Sequence, residues 1–317
     1  MKNDVVSMGE VLIDFSPIGK GPVGNPAYEM NPGGAPANML AAYCRLGGSA
    51  KFIGAVGNDF FADFIRKKLM DCGIDISGLI TLEKAHTTLA YIWLNEDLQP
   101  SYYFMRDKGA DALIEKDKVD LSAIQEASVF HFGGVSLSAE KSCEAVMYAA
   151  KYAKSKGKLI TFDANYRKAL WQSEASAVKN IKEAIDLADI VKLSQDEAEM
   201  LTGKDAPKDS AKIIFEAGKK AVFVTLGKKG VYFIFGHGQE RGIVDAFDVK
   251  VKDTTGCGDA FMGAVLYQLL HEPAKMAHEI VRYANAVSAL CATKYGAIPA
   301  MPTRNEVNDF LMGENEL

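Results

Sequence analysis

The chain has 317 residues, and its 36 Lys and Arg against 41 Asp and Glu give a net charge of −5. A chain this acidic offers no global field for nucleic acid or an anionic lipid surface. Apolar residues are 48% and charged residues 24%, which excludes disorder for the bulk of it; at roughly 100–200 residues per domain, the length allows two domains or one large α/β domain.

The start, MKNDVVSMGEVLIDF, has an acid at position 4 and no long apolar run, so it does not read as a signal peptide. Val5–Phe15 is apolar and β-prone, whereas residues 16–32 are rich in Gly and Pro and cannot be a helix. Pro36–Leu46 is Ala-rich with helical spacing, and Lys51–Val56 reads as a strand. Asn58 is placed to cap a helix whose apolar residues Phe60, Phe61, Phe64, Ile65 and Leu69 recur at three to four. Residues 88–106 read as two strands, TLAYIWL and SYYFMR, around the polar turn NEDLQP. That hairpin is either a β lid over one edge of a sheet or a surface excursion that covers core. Val129–Phe132, Leu159–Asp163, Ile190–Leu193 and Ala221–Thr225 are short apolar runs near helical patterns such as Ala139–Lys156 and Ala175–Leu187. Short buried strands between helices predict crossover units and a largely parallel sheet. Ala221–Thr225, the turn LGKKG and Val231–Phe235 predict an antiparallel hairpin near the sheet edge, and Ile243–Val251 a further strand. No repeat, low-complexity tract or linker cuts the chain, so 1–317 is expected to be one unit.

Cys44, Cys72, Cys143, Cys257 and Cys291 are an odd set without CxxC spacing. That argues against a disulfide framework or zinc ribbon and for a reducing compartment. No apolar run approaches the ~18 residues of a membrane span. A soluble cytoplasmic protein is expected, with neither nucleic acid nor membrane as partner. The five His are scattered, and none has a partner at ligand spacing.

The sharpest motif is DTTGCGDAFMGAVLYQLL, residues 253–270. A strand pattern runs into a Gly-x-Gly turn and then an apolar helix, the context of an anion site at unsatisfied helix N–H groups. Gly256 and Gly258 let an anion approach the backbone. Asp259 falls in the first helical turn beside it, either as a chemical group or as a favourable first-turn acid. Neither GxxxxGK[ST] nor GxGxxG is present. A second motif, Gly33-Gly34-Ala35-Pro36-Ala37-Asn38, combines close backbone approach with an amide suited to neutral hydroxyls, or is simply a glycine turn before a tightly packed helix.

Together GGAPANMLAAYCRLGG and DTTGCGDAFMGA resemble the two signatures of the ribokinase-like (PfkB-type) carbohydrate kinases. GAVGNDFFADF, YYFMRDKGAD, FDANYRKALW, KLSQDEAEMLTG and VTLGKKGV lie between them in that family's order, and NAVSALCATKYGAIPAMP follows. Within the family, GGAPAN, FMRDKGADALI, HFGGVSLS and DANYRKALW look most like fructokinases. The resemblance implies a three-layer α/β/α sandwich with a mostly parallel sheet and a small β lid from about 12–33 and 86–109. It implies ATP and Mg²⁺, with γ-phosphoryl transfer to a primary sugar hydroxyl.

By the same resemblance Asp259 is the general base, and the N–H groups of Gly256, Cys257 and Gly258 form the anion hole. Asp14, Gly33, Gly34 and Asn38 bind sugar. Arg106 reaches the sugar pocket from the lid, or is a surface lid charge. Arg167 and Lys192 supply positive charge near sugar and phosphates, or are structural ion-pair partners. Thr225, Gly227 and Gly230 match the nucleotide-side turn, and Asn285 borders the adenine pocket. Glu197 orders water around the phosphate-bound Mg²⁺, although Ser194 stands where the family's N-x-x-E motif has Asn. Asp253, Thr255 and the Gly296 region match a K⁺ loop. Cys257 stands where Ala is commoner, either as a reactive thiol at a helix N-terminus or as a small substitute. A homodimer through the lid fits the family. The expected reaction is D-fructose to fructose 6-phosphate. The alternatives are a 2-keto-3-deoxygluconate kinase on the same fold, or a non-catalytic sugar-binding sensor.

Overall fold

A computed structural model describes residues 3–94 and 100–314. The chain opens with β1 (Val5–Met8), β2 (Leu12–Lys20), β3 (Pro26–Gly33), α1 (Ala35–Arg45), β4 (Ala50–Gly57), α2 (Phe60–Asp71) and β5 (Asp75–Leu82). Next come β6 (Leu89–Leu94), β7 (Pro100–Met105), α3 (Ala110–Leu113), α4 (Leu121–Glu126), β8 (Val129–Gly133), α5 (Glu140–Ser155) and β9 (Leu159–Asp163). After these lie α6 (Glu174–Leu187), β10 (Ile190–Ser194), α7 (Gln195–Thr202), α8 (Pro207–Glu216), β11 (Ala221–Thr225) and β12 (Val231–Phe235). The chain closes with β13 (Glu240–Val244), α9 (Cys257–His271), α10 (Ala277–Ala292) and α11 (Arg304–Glu314).

Nine strands form the main sheet in the order β13-β12-β11-β10-β9-β8-β1-β4-β5. Neighbours from β5 to β11 pair in parallel, and β12 and β13 add an antiparallel edge. Side chains alternate between two cores, as the pleat requires: Val129 and Phe223 face one, Phe130 and Val222 the other. Helices α1, α2, α9 and α10 cover the first face, and α5, α6 and α8 the second. This is the ribokinase-like three-layer sandwich. A strand buried on both faces has no polar alternation, which is why its sequence reads as a continuous apolar run.

Four strands form a second sheet, β3-β2-β6-β7. Its two hairpins are joined by parallel pairing of β2 with β6, Ile13 facing Leu89. The predicted hairpin over 88–106 is present, with residues 95–99 of its turn outside the described residues. Residues 16–32, non-helical by composition and part of a β lid by the family resemblance, lie mostly in β2 and β3. The register slips between Pro17 and Gly19, and exposed residues from Pro17 onward hide the strand signal.

Two local expectations need correction. Asp59 rather than Asn58 caps α2, its Oδ1 accepting the Ala62 N–H at 3.0 Å, while the Asn58 amide donates to Glu83 at 2.7 Å. The strand expected over Ile243–Val251 ends at Val244, because the loop beyond it turns back toward α10, where the Asn285 amide donates to the carbonyls of Val244 and Asp245.

Candidate active site

The carboxyl ends of parallel strands converge on one cavity of about 880 Å³, the place where open α/β sheets bind ligands. Glu10 lies just beyond β1, Asn165 follows β9, Lys192 lies in β10 and Ser194 ends it. Helix α9 points its N-terminus at the same space. Gly256 takes the left-handed conformation (φ 79°), and its missing Cβ would meet Ala297 at 2.8 Å. Gly256 and Gly258 both line the cavity, so the first turn of α9 borders it, with the Cys257 N–H donating to the Thr254 carbonyl at 3.2 Å.

Asp259 sits one residue later and is buried. The Asn38 Nδ2 donates to its Oδ2 at 2.8 Å, and the Asn165 Nδ2 donates to its Oδ1 at 3.4 Å. Burial pushes the carboxyl up to about 6, Asp163 adds to the rise, and Lys192, Asn38 and Arg167 oppose it. The Asn38–Asp259 contact depends on a close crossing of α1 and α9. A Cβ at Gly263 would lie 2.5 Å from the Met39 carbonyl and 2.9 Å from the Ala42 methyl.

Lys192 and Asp163 are register partners on β10 and β9, so strand pairing itself sets their buried ion pair, 2.9 Å between Nζ and Oδ2. Burial works against the Lys192 charge, but Asp163, Glu197 and Asp259 outweigh it and hold its pKa above the ordinary value. A Cβ at Gly258 would come within 2.7 Å of Nζ, so the glycine brings this cation against the α9 turn.

At the other end of the cavity, Asp14 on β2 faces the Gly33 backbone. A Cβ at Gly33 would lie 2.0 Å from its Oδ2. Burial raises the Asp14 carboxyl to about 7, against the opposing pull of Arg167. Arg167 lines the cavity and places its guanidinium 5.9 Å from the Tyr102 ring of β7, linking core to second sheet. Cys257 is half-buried, and the Cys291 thiol donates to the Thr255 carbonyl at 3.8 Å.

The structure therefore gathers Asp259, Gly256, Gly258, Asp14, Gly34, Asn38, Arg167, Lys192, Glu197 and Thr255 around one cavity. It does not bring Arg106 there. The Arg106 Nε donates to Asp111 at 2.8 Å and its Nη1 to Ser138 at 2.6 Å, beside a separate cavity of about 370 Å³. Thr225, Gly227, Gly230 and Asn285 cluster beyond the main cavity. The Thr225 hydroxyl donates to the Leu193 carbonyl at 3.3 Å, and the Asn285 amide is spent on two backbone carbonyls. The Asp253 carboxylate bridges two loops, accepting from the Thr255 N–H and the Gly296 N–H, each at 2.9 Å.

Glu197 closes a capping box at the start of α7, with its Oε2 accepting the Ser194 N–H at 2.7 Å. Its Oε1 accepts the Tyr166 N–H at 2.7 Å, so both oxygens hold backbone while the residue still lines the cavity. Among the described residues, no group of three or more His, Cys, Asp or Glu is placed to hold a metal ion. Also among these residues, no helix is long and apolar enough to cross a membrane.

Sequence reasoning missed Glu10, Asp163 and Asn165. The last two lie in DANYR, Asp163 ending β9 and Asn165 two positions on in the turn beyond it, where the carboxyl end of a strand predicted at Leu159–Asp163 was the available signal.

The sheet order, the Gly-x-Gly turn of α9 and the buried acid within it are those the two signatures led to expect of a sugar kinase, and comparison with known proteins agrees. A profile described as "pfkB family carbohydrate kinase" matches residues 2–304, and the chain belongs to that family. It is 40% identical over 312 residues to "Fructokinase-1" of Oryza sativa subsp. japonica, covering 96% of each chain. The crystal structure of fructokinase with bound ATP from Xylella fastidiosa superposes with a TM-score of 0.88 at 29% identity, covering 99% of this chain and 100% of that one. Fructokinase from Vibrio cholerae O395, in a fructose, ADP and calcium ion bound form, gives a TM-score of 0.86 at 31% identity, covering 98% and 99%.

Proposed function

We propose that the chain is an ATP-dependent fructokinase, converting D-fructose to fructose 6-phosphate. The observation that carries the reading is the buried Asp259 carboxylate in the first turn of α9, in a chain 40% identical over its length to a fructokinase. Phosphoryl transfer asks the protein mainly for positioning and electrostatic stabilisation. Asp259 accepts the proton of the attacking primary hydroxyl. Asn38, donating to one of its oxygens, fixes the direction of the other lone pairs. The N–H groups of Gly256, Cys257 and Gly258 receive charge on the transferring phosphoryl, and Lys192 adds a fixed positive charge next to them. Asp14, Gly33, Gly34 and Asn38 hold the sugar, and Arg167 bridges the sugar and phosphate ends.

Thr225, Gly227, Gly230 and Asn285 border the nucleotide through backbone. The second sheet acts as lid, with Arg106 anchoring it through Asp111. Mg²⁺ bound with ATP would neutralise phosphate charge. The chain fits an ion that keeps its waters, since Glu197 lines the cavity and, among the described residues, no cluster of ligands forms a cage. The Asp253 loop, with the Thr255 carbonyl and Gly296, would take K⁺.

The test is ADP release with fructose, 2-keto-3-deoxygluconate, ribose, glucose and adenosine, each with K⁺ or Na⁺ as the monovalent salt. Fructose is expected to give the highest kcat/KM, with K⁺ stimulating. Selective turnover of the keto-acid would overturn the substrate assignment, and no turnover of any substrate would favour a sugar sensor.

A further inference from the structure

Two amides reach the Asp259 carboxylate. Asn38 donates to Oδ2 from α1 at 2.8 Å, and Asn165 donates to Oδ1 from the turn after β9 at 3.4 Å. Asn165 is buried and lines the cavity. Its backbone is left-handed, with φ 37°; among the described residues, Lys108 is the only other non-glycine with a positive φ. Glycine takes such a turn without steric cost, so the turn by itself does not call for an amide. The backbone on both sides of Asn165 is pinned. The Asp163 carbonyl accepts the Gly134 N–H at 2.9 Å, and the Ala164 N–H donates to the Lys192 carbonyl at 3.3 Å. The Tyr166 N–H donates to Glu197 at 2.7 Å, and the Asn165 N–H donates to Asp163 at 3.3 Å. The loop after β8, strand β10 and helix α7 thus over-determine a conformation that side chains rarely adopt, the circumstance in which such strain persists at functional sites.

We propose that Asn165 is a positioning residue for phosphoryl transfer: with Asn38 it clamps the Asp259 carboxylate between two neutral amides and sets the plane in which it meets the attacking hydroxyl. The proposal rests on the fructokinase reading. Donors on both oxygens stop the carboxylate turning about its Cβ–Cγ bond, so the remaining lone pairs keep one direction. Neutral donors do this with less loss of basicity than a cation would, and Lys192 is instead paired with Asp163. The looser bond of the two suits an oxygen that must still take a proton. The titratable and charged groups facing Asp259 are Asp14 from β2, Asp163 from β9, Arg167 from the turn after it, Lys192 from β10 and Cys291 from α10. All of them stay in place in the variants below.

The experiment compares Asn165→Gly with wild type by thermal melting and by ADP release over about pH 5–9. Glycine keeps the left-handed turn and removes only the amide, so the melting temperature should stay near the wild-type value. The kcat for fructose should fall by about 10–100-fold, with the KM for fructose and for ATP within about threefold. Losing a donor to the ionised form should also move the acid limb of kcat/KM to higher pH, by about half a unit or more. An unchanged kcat, an unmoved limb, or a loss carried by KM alone overturns the proposal. Asn165→Asp keeps the shape of the side chain and serves if the glycine variant does not fold. Its carboxyl, facing Oδ1 of Asp259, should move the limb up by about one unit or more. An unmoved limb there overturns the proposal, as does failure of both variants to fold, which would make Asn165 structural. A wild type that does not phosphorylate fructose overturns the functional reading instead.

Discussion

Burial drives the Asp259 carboxyl up to about 6, and Lys192, Asn38 and Arg167 hold it from going higher. Near neutral pH it is therefore ionised yet poorly hydrated, the condition a general base needs. Because the base acts in its deprotonated form, kcat/KM for the sugar should rise with pH through about 6–7 and level off above. Asp14, at about 7, titrates in the same window. A rate profile flat from about pH 5 to 8 would contradict both assignments. The same shift acts on stability with the opposite sign. The folded acid is raised from its ordinary 3.8, so its contribution is full below 3.8 and lost as pH rises through about 6. At pH 8 the ionised, buried Asp259 costs on the order of 3 kcal/mol. Asp259→Asn should accordingly melt at or above the wild-type temperature at pH 8, and a clearly lower melting temperature would mean that the carboxylate is structural.

Helices α1 and α9 place the two halves of the site within hydrogen-bonding distance. The crossing is close because Gly263 has no side chain where it meets the Met39 carbonyl. Gly263→Val should wedge the helices apart at a cost of about 1–3 kcal/mol. The 2.8 Å Asn38–Asp259 bond lengthens with them, so kcat should fall more than the KM for ATP changes. A variant that is destabilised with unchanged kcat would show that the helix spacing does not set the base geometry. The ion pair of β9 and β10 is a different case, since register alone aligns Asp163 with Lys192. Lys192→Met leaves Asp163 buried without its counter-ion, with only the Asn165 N–H still donating to it, a loss of about 3–5 kcal/mol that denaturant unfolding would read.

Across the whole molecule, the crossover strands were legible because burial on both faces leaves uninterrupted apolar runs. The edge hairpin of β11 and β12 was legible from its LGKKG turn. The β2–β3 hairpin was legible only through the family resemblance, since its tip is exposed and a bulge breaks its alternation. At the site, the α9 turn and the Gly33–Asn38 segment were visible as glycines placed before helices. Glu10 was invisible, because an acid after a Gly looks solvated until α1 and Ser136 close over it. Arg106 was visible as a lid cation, but its partner Asp111, only five residues on, is what keeps it from the main cavity.

All these elements converge on one carboxylate, so replacing it with its neutral isostere tests the account most directly. Asp259→Asn should keep the fold and bind fructose with an affinity within a few-fold of wild type. Its turnover in the ADP-release assay should fall by at least about 10³-fold. Turnover within about tenfold of wild type, in a variant that melts normally and binds fructose, would contradict the assignment of Asp259 as the base.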